Sequence, residues 1–376
     1  MEVNMKVAIV CDDLVQHGGA EKIVEAVSDI FPNAPIYTTI ASKKWRKYFR
    51  EKGRKITTSF LQKFPFVVKF NRYYSVFYYH VLAIESFDFS NYDLVFSISS
   101  RFAHLVVTGP STKHICYLNT PGRMFWEPFD YFEKENFGVP GFLKSLAMFF
   151  VRPFIFLMRL VDFSAMKRVD LVVSNSKTTQ ARLRKYHGIG SSIIHPFCGE
   201  PSHVQGREKE EYYLILTRLA SWKRVDIALR ACEKLGKKLK VAGEGPDAKR
   251  LQSLAGKGVE FLGRVSDEEK WALLANCTAL INTQKEDFGI VPLEAMAVGR
   301  PVIAYNFGGA LETVIEGETG IFFEEQTAEA LSKCIEKFEK MTFDPAVCKK
   351  QAGKFSYGNF KCSILEKVDD LICTKS

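Results

Sequence analysis

Glu286-Asp287-Phe288-Gly289-Ile290-Val291-Pro292-Leu293-Glu294-Ala295-Met296-Ala297-Val298-Gly299-Arg300-Pro301-Val302-Ile303-Ala304 reads as a short loop and a turn that opens a helix, with two glutamates eight positions apart around it. Gly289 permits a close backbone approach, Pro292 suits the first helical position, and the helix so opened points N–H groups at whatever lies ahead of it. An anion is the expected occupant. Glu286 lies just before the turn and Glu294 is expected within the first helical turn, so both carboxylates can face one spot and accept hydrogen bonds from hydroxyls. Hydroxyls flanking a phosphate describe a nucleotide sugar. An acid in the first turn of a helix is ordinary in any α/β protein. A second acid on the loop before the turn, with a glycine between the two, is not explained that way.

Upstream, Tyr212 to Asp226 reads YYLILTRLASWKRVD: a short apolar strand ends, and Arg218 and Lys223 follow where a helix begins. Two cations at that place suit a diphosphate, the guanidinium as a planar fork and the ammonium as a point charge. Alone, this stretch reads equally well as a solvated basic turn.

Taken together, the two stretches resemble the retaining glycosyltransferases of family 4, which share the two-domain GT-B fold. The resemblance implies that Arg218 and Lys223 hold the donor diphosphate, that Glu286 contacts hydroxyls of the transferred sugar and that Glu294 meets the donor ribose. It places the loop Asp287, Phe288, Gly289 and Ile290 at the donor, the last three through backbone N–H groups. Thr217 stands where the family usually has glycine. MKVAIVCDDLVQHGGAEKI, Met5 to Ile23, looks like the family's opening strand and glycine loop, with Gly18 and Gly19 as donor-binding positions before a helix. SFLQKFPF, LAIESFDFSNYDLVFSISS, HICYLNTPGRMFWE and RPVIAYNFGGALETVIEGETGIFF resemble a subgroup that builds surface polysaccharides, several members being mannosyltransferases. Where that subgroup commonly has histidine before Thr-Pro, this chain has Asn119, which keeps hydrogen bonding but cannot be protonated. Arg123 and Glu127 follow on the same loop; with Asn119 they are the acceptor-side candidates, a surface salt bridge being the plainer reading of the latter two.

Length and composition fit two domains. The chain has 376 residues, 47% of them apolar and 25% charged, more than one comfortable core in an ordinary globular composition. Short apolar runs predict strands at Lys6 to Cys11, Pro35 to Thr39, Leu94 to Ile98, Leu105 to Thr108, His114 to Leu118, Leu171 to Val173, Tyr212 to Leu216, Leu239 to Ala242, Val259 to Leu262, Ala279 to Ile281 and Val302 to Ala304. Separated by amphipathic stretches, they predict an α/β protein of two Rossmann-like, doubly wound domains facing across a donor-binding cleft. The expected division is an acceptor-side domain over 1–200 and a nucleotide-sugar-binding domain over 201–356. A final helix over 357–376 is expected to cross back, as in GT-B relatives.

Nine cysteines without C-x-x-C spacing read as buried thiols of a reducing cytosol, and the seven histidines show no ligand spacing, so no metal is expected. The first strand begins within a few residues of Met1, so no cleavable signal is expected. The net charge of +9 is uneven. From Lys43 to Arg72 eleven cations face the single acid Glu51, interleaved with Trp45, Phe49, Phe60, Phe64, Phe66 and Phe70. Such a mixture suits an anionic membrane surface, with rings at headgroup level. Phe142 to Phe163 is strongly apolar, but Lys144, Arg152, Arg159 and Pro153 interrupt it, so an interfacial helix or a core hairpin is expected rather than a span. No nucleic-acid module accompanies the basic stretch.

The resemblance therefore implies a metal-independent, retaining hexosyltransferase without cofactor. Its donor would be a nucleotide sugar, best matched by GDP-mannose, and its acceptor a lipid-linked glycan at the cytoplasmic face of the cell membrane. Two rivals remain: a nucleotide-sugar epimerase of the same fold, and a non-catalytic membrane-surface scaffold for which Asn119 is the hint. A phosphorylase would need a pyridoxal site that the sequence does not offer.

Overall fold

The computed structural model describes residues 5–75, 78–128, 131–132, 141–201 and 211–373. It contains two compact units: the chain through Ile194 together with the residues from Lys361, and His195–Phe360.

In the first unit, strands β1 (Val7–Cys11), β2 (Ile36–Thr38), β3 (Ile56–Thr58), β4 (Leu94–Ser99), β5 (Lys113–Leu118), β6 (Leu171–Ser174) and β7 (Ser192–Ile193) form one parallel sheet in the order β3-β2-β1-β4-β5-β6-β7. Helices α1 (Gly19–Ile30), α2 (Lys43–Glu51), α3 (Val67–Tyr74), α4 (Tyr79–Glu85), α5 (Arg123–Trp126), α6 (Gly141–Met166) and α7 (Lys177–His187) accompany it. In the second, β8 (Tyr213–Leu216), β9 (Leu239–Ala242), β10 (Val259–Gly263), β11 (Ala279–Asn282), β12 (Val302–Tyr305) and β13 (Gly320–Phe323) run parallel in the order β10-β9-β8-β11-β12-β13. Its helices are α8 (Val225–Lys234), α9 (Ala248–Leu254), α10 (Asp267–Asn276), α11 (Ile290–Ala297), α12 (Ala310–Thr313), α13 (Ala328–Phe338) and α14 (Pro345–Gly353), and α15 (Tyr357–Cys373) closes the described chain. Each sheet reverses its winding beside its first strand, the doubly wound order in which ligands sit at strand carboxyl ends.

The central strands are mainly apolar because both faces are covered, as in Val7–Cys11 and Tyr213–Leu216. In the second unit, Tyr213, Ile215, Val241, Ile281 and Ile303 pack on the side of α8 and α13. Leu214, Leu280, Val302 and Ala304 face the other way, with α10 and α11. The period of two along each strand thus fills two cores.

Three departures from expectation have local causes. Leu105 to Thr108 is not a strand; a 3-10 turn covers Ala103–Leu105 and coil follows. The Asp12 carboxylate accepts the N–H groups of Ser100, Arg101, Phe102 and Ala103 at 2.6–2.9 Å and curls the chain immediately after β4. Unanticipated strands β3, β7 and β13 all lie at sheet edges; β3 and β7 are two or three residues long and carry no apolar run, whereas β13 reads Gly-Ile-Phe-Phe and was simply not singled out. In the basic stretch, Trp45 and Phe49 point into the core and are fully buried, so only part of its aromatic set, including Phe60, Phe66 and Phe70, is exposed.

α6 is a single helix with Pro153 inside it. Its inner side carries Ile155, Met158, Ala165 and Met166, and among them the buried Asp162. Trp126 Nε1 donates to Asp162 at 2.7 Å, and Nε2 of His187 and of His104 lie 2.8 and 3.0 Å from its oxygens. Burial opposes the Asp162 charge, yet the two imidazoles hold its carboxyl well below the usual carboxylate range. Seven of the nine cysteines are buried, and Cys362 and Cys373 on α15 are exposed. Burial pushes the thiols of Cys116, Cys232 and Cys277 up to about 12.

Candidate functional site

β8 and β11 are neighbours in the second sheet, at the point where its winding reverses. Their carboxyl ends feed the two loops singled out in the sequence. After β8 the chain passes Thr217 and the exposed Arg218 into a 3-10 turn over Ser221–Lys223. The Thr217 hydroxyl bonds Gln284 Oε1 at 3.0 Å, which occupies the side chain that the family pattern lacks. Gly243 and Gly245 let the loop seat closely, because a Cβ at either would come within about 2 Å of the Thr217 or Leu219 carbonyl oxygen.

Lys223 is buried, its Nζ ion-paired with Glu286 and lying 4.1 Å from the Trp222 ring centroid. Its carbonyl accepts the Thr283 hydroxyl at 2.8 Å. Both ends of this lysine are therefore fixed to the β11 loop. Gly289, at φ +84°, caps α11, and a Cβ there would stand 2.7 Å from Glu286 Oε2. Glycine is required by the backbone and by the neighbouring carboxylate together.

Glu294 does not lie in the first turn. α11 starts at Ile290, so Glu294 opens the second turn, and Pro292 is the third helical residue rather than the first. Proline is accommodated there because first-turn N–H groups have no intrahelical partner. The Glu294 carboxylate is buried and pairs with Lys270 Nζ of α10 at 3.0 Å. Each glutamate is thus held by its own lysine. Phe288 is buried and stacks on His195 with centroids 5.3 Å apart, while Asp287 and Ile290 are half-buried.

Several contributors were not singled out from the sequence. Lys270 lies in an ordinary charged helix turn with nothing local to mark it. Gly308 and Gly309 appeared only within a resembling stretch; a Cβ on Gly308 would meet the Glu286 carbonyl oxygen at 2.0 Å, and one on Gly309 the Phe288 carbonyl oxygen at 2.0 Å. The Gly309 N–H donates to the Glu286 carbonyl at 3.1 Å. A glycine pair with no side chains is what allows the next loop to lie directly on the glutamate loop.

In the first unit, Gly18 is the cap of α1, which begins at Gly19. Gly18 has extended backbone, and a Cβ on it would come 3.1 Å from Glu21 Oε2. Burial pushes the Glu21 carboxyl up to about 7, with Asp12 adding to the effect. Asn119 follows β5; its N–H donates to the Ser99 carbonyl and its own carbonyl accepts the Thr179 hydroxyl. Among the described residues the buried Nδ2 of Asn119 has no hydrogen-bond partner. Arg123 opens α5, and Glu127 accepts Tyr186 Oη at 2.7 Å with Arg182 Nε 3.4 Å away, so this carboxylate is engaged within the unit.

The second unit thus offers a buried ammonium, an exposed guanidinium and a helix start for an anion, with two oriented carboxylates for hydroxyls. Comparison with known proteins gives the chain's relatives. Residues 201–355 match the family model described as glycosyl transferases group 1. Among curated relatives, the human alpha-1,3/1,6-mannosyltransferase ALG2 is 47% identical over 88 residues, 23% of this chain and 21% of that protein. The uncharacterized glycosyltransferase MJ1069 of Methanocaldococcus jannaschii is 29% identical over 195 residues, 46% of this chain and 50% of its own. The chain spans 21–29% of the length of the mannosyltransferases it matches. In structure, Anabaena Alr3699/HepE, solved in complex with UDP, aligns with a TM-score of 0.69 at 18% identity over 97% of this chain and 100% of that one. Sucrose-phosphate synthase from Thermosynechococcus elongatus aligns at 0.67 and 16% identity, over 98% and 100%.

Proposed function

We propose that this GT-B chain, whose second unit carries the group 1 glycosyltransferase family match, moves a hexose with retention from a nucleotide sugar to a hydroxyl of a lipid-linked glycan. The observation that carries the reading is the pairing of Lys223 with Glu286 where β8 and β11 end, beside the start of α11. Arg218, Lys223 and the α11 N-terminus take the donor diphosphate and stabilise the charge that grows on it as it leaves. Glu286, tethered by Lys223, orients the sugar hydroxyls, and Glu294, tethered by Lys270, receives the ribose.

In this scheme the bond from the anomeric carbon to the phosphate oxygen breaks while the acceptor oxygen bonds that carbon on the same face. The acceptor's proton passes to an oxygen of the departing diphosphate. No protein base and no metal takes part. Asn119, whose Nδ2 has no hydrogen-bond partner among the described residues, is assigned to a substrate oxygen.

Mannose is the best-supported sugar, from the stretches shared with the mannosyltransferases, with GDP as its carrier. A nucleotide sugar as donor is supported independently by the UDP and UDP-glucose complexes of HepE. A lipid-linked acceptor places the reaction at the cytoplasmic face of an anionic membrane, where the basic Lys43–Arg72 stretch supplies attraction. The test is a thermal-shift screen of the purified chain against GDP-mannose, UDP-glucose, UDP-N-acetylglucosamine and dTDP-rhamnose, followed by product analysis with a lipid-linked acceptor. Stabilisation by one donor and a lengthened glycan are expected. A free, altered nucleotide sugar as sole product would mean epimerisation and would overturn the proposal.

A further inference from the structure

α6 buries one stripe and leaves the rest apolar. Phe149, Phe150, Phe156, Leu157, Leu160 and Phe163 all face outward, the first two 66% and 64% exposed. A solvated helix carries polar residues on that side, so this surface needs a partner. The only acid between Gly141 and Phe163 is Asp162, and it is buried. Among the described residues, the charges that the outer side presents are mainly cationic: Arg152 at mid-helix, then Lys167 and Arg168 just beyond its end, with the exposed Asp170 after them paired to Lys113.

We propose that the outward face of α6 lies in the boundary between headgroups and acyl chains of an anionic bilayer, in the membrane plane. The inference rests on the membrane-associated acceptor proposed above and identifies the surface that makes the contact. Twenty-six residues at 1.5 Å each give α6 a length of about 39 Å, but among the described residues no helix is long and apolar enough to cross a membrane. An apolar face edged by cations lies flat instead. A second copy of the chain is the weaker occupant, because among the described residues the exposed side of α6 itself carries no carboxylate to meet the facing copy's Arg152.

Two further features point the same way. Asp162, held from Trp126, His104 and His187, fixes the rotation of α6, so its phenylalanines cannot turn inward. Phe66 sits at φ +50° and is 74% exposed, a left-handed backbone that costs a bulky residue about 1–2 kcal/mol, between the exposed Lys63 and Lys69. Its helix α3 and α4 pack on one 3-10 turn, Phe60–Lys63, while α4 and α6 pack on another, Ala103–Leu105. The two aromatic groups therefore stand on successive neighbours within one unit.

The experiment is flotation of the full chain with phosphatidylcholine vesicles, with and without phosphatidylglycerol, comparing wild type with the combined variant Phe149→Ser, Phe150→Ser, Phe156→Ser, Leu160→Ser. Wild type is expected to float with the anionic vesicles, and the variant to lose at least about tenfold of that partition. Melting and calorimetric binding of the nucleoside diphosphate should be unchanged, since none of the four positions belongs to the buried stripe. Should melting show the combined variant unfolded, Phe149→Ser with Phe150→Ser carries the same comparison. Equal flotation of a folded variant overturns the assignment. So does a wild type that ignores both vesicle types, or one that sediments as a dimer which the variant dissociates. Loss of diphosphate binding in the wild type speaks against the transferase reading, not against this surface.

Discussion

Lys223 and Glu286, 63 positions apart in the chain, are ion-paired at the carboxyl ends of two adjacent parallel strands. Lys223 is 7% exposed. Burying an ammonium is unfavourable unless its partner is well placed, and such pairs add little net stability. Under the proposed function, the pair presents both groups to the donor.

Glu286→Gln and Lys223→Ala should each lower turnover by about two to three orders of magnitude, the scale on which removing an aimed charge acts. Labelled-sugar transfer beside matched melting curves separates chemistry from folding. Near-native turnover in either folded variant would count decisively against the site.

Glu294→Met or Lys270→Met alone removes one partner of a mostly buried pair and should cost about 3 kcal/mol, seen as a lower denaturation midpoint. The double substitution should recover much of that loss without recovering affinity for the nucleoside diphosphate. Calorimetry on the double variant isolates the ribose contact; full affinity would remove Glu294 from the donor site.

Gly308→Ala should cost roughly 2–4 kcal/mol and displace the Glu286 loop, because the new methyl meets a carbonyl oxygen. Gly317, at φ +78° with nothing within 4 Å of an added Cβ, is the control. Its alanine variant should cost about 1 kcal/mol from strain alone. Equal midpoints for the two would mean that the loop contact is unimportant.

Glu21 titrates in the folded chain at about 7, against 4.5 ordinarily, because burial disfavours its charge. A folded-state pKa above the unfolded one gives stability that is present below about 4.5 and lost as pH rises through 7. The shift corresponds to something on the order of 3 kcal/mol. Glu21→Gln should flatten that fall, making the variant the more stable protein at pH 8 by chemical denaturation. Parallel curves for variant and wild type between pH 4 and 8 would refute the assignment.

Central strands were legible because a parallel strand covered on both faces must be apolar throughout, as in Val7–Cys11 and Tyr213–Leu216. Edge strands such as Ser192–Ile193 carry no such run. Loop residues stood out where charge and glycine coincide, and the structure sets Lys223, Glu286 and Gly289 side by side. Lys270 was invisible because it reaches Glu294 from another helix, 24 positions away. The turn at Ala103 was invisible for the same reason: the carboxylate that makes it, Asp12, belongs to the far end of β1. Aromatic residues in the basic stretch were misjudged as a group, since helical phase sends Trp45 and Phe49 inward.

The distribution of cysteines has a practical consequence. With seven sulfurs enclosed and Cys362 and Cys373 open on the last helix, a maleimide dye added to the native protein attaches to α15 alone. The wild-type chain thus supplies its own fluorescent handle on that helix, and a single serine replacement at either position leaves one site for a distance probe.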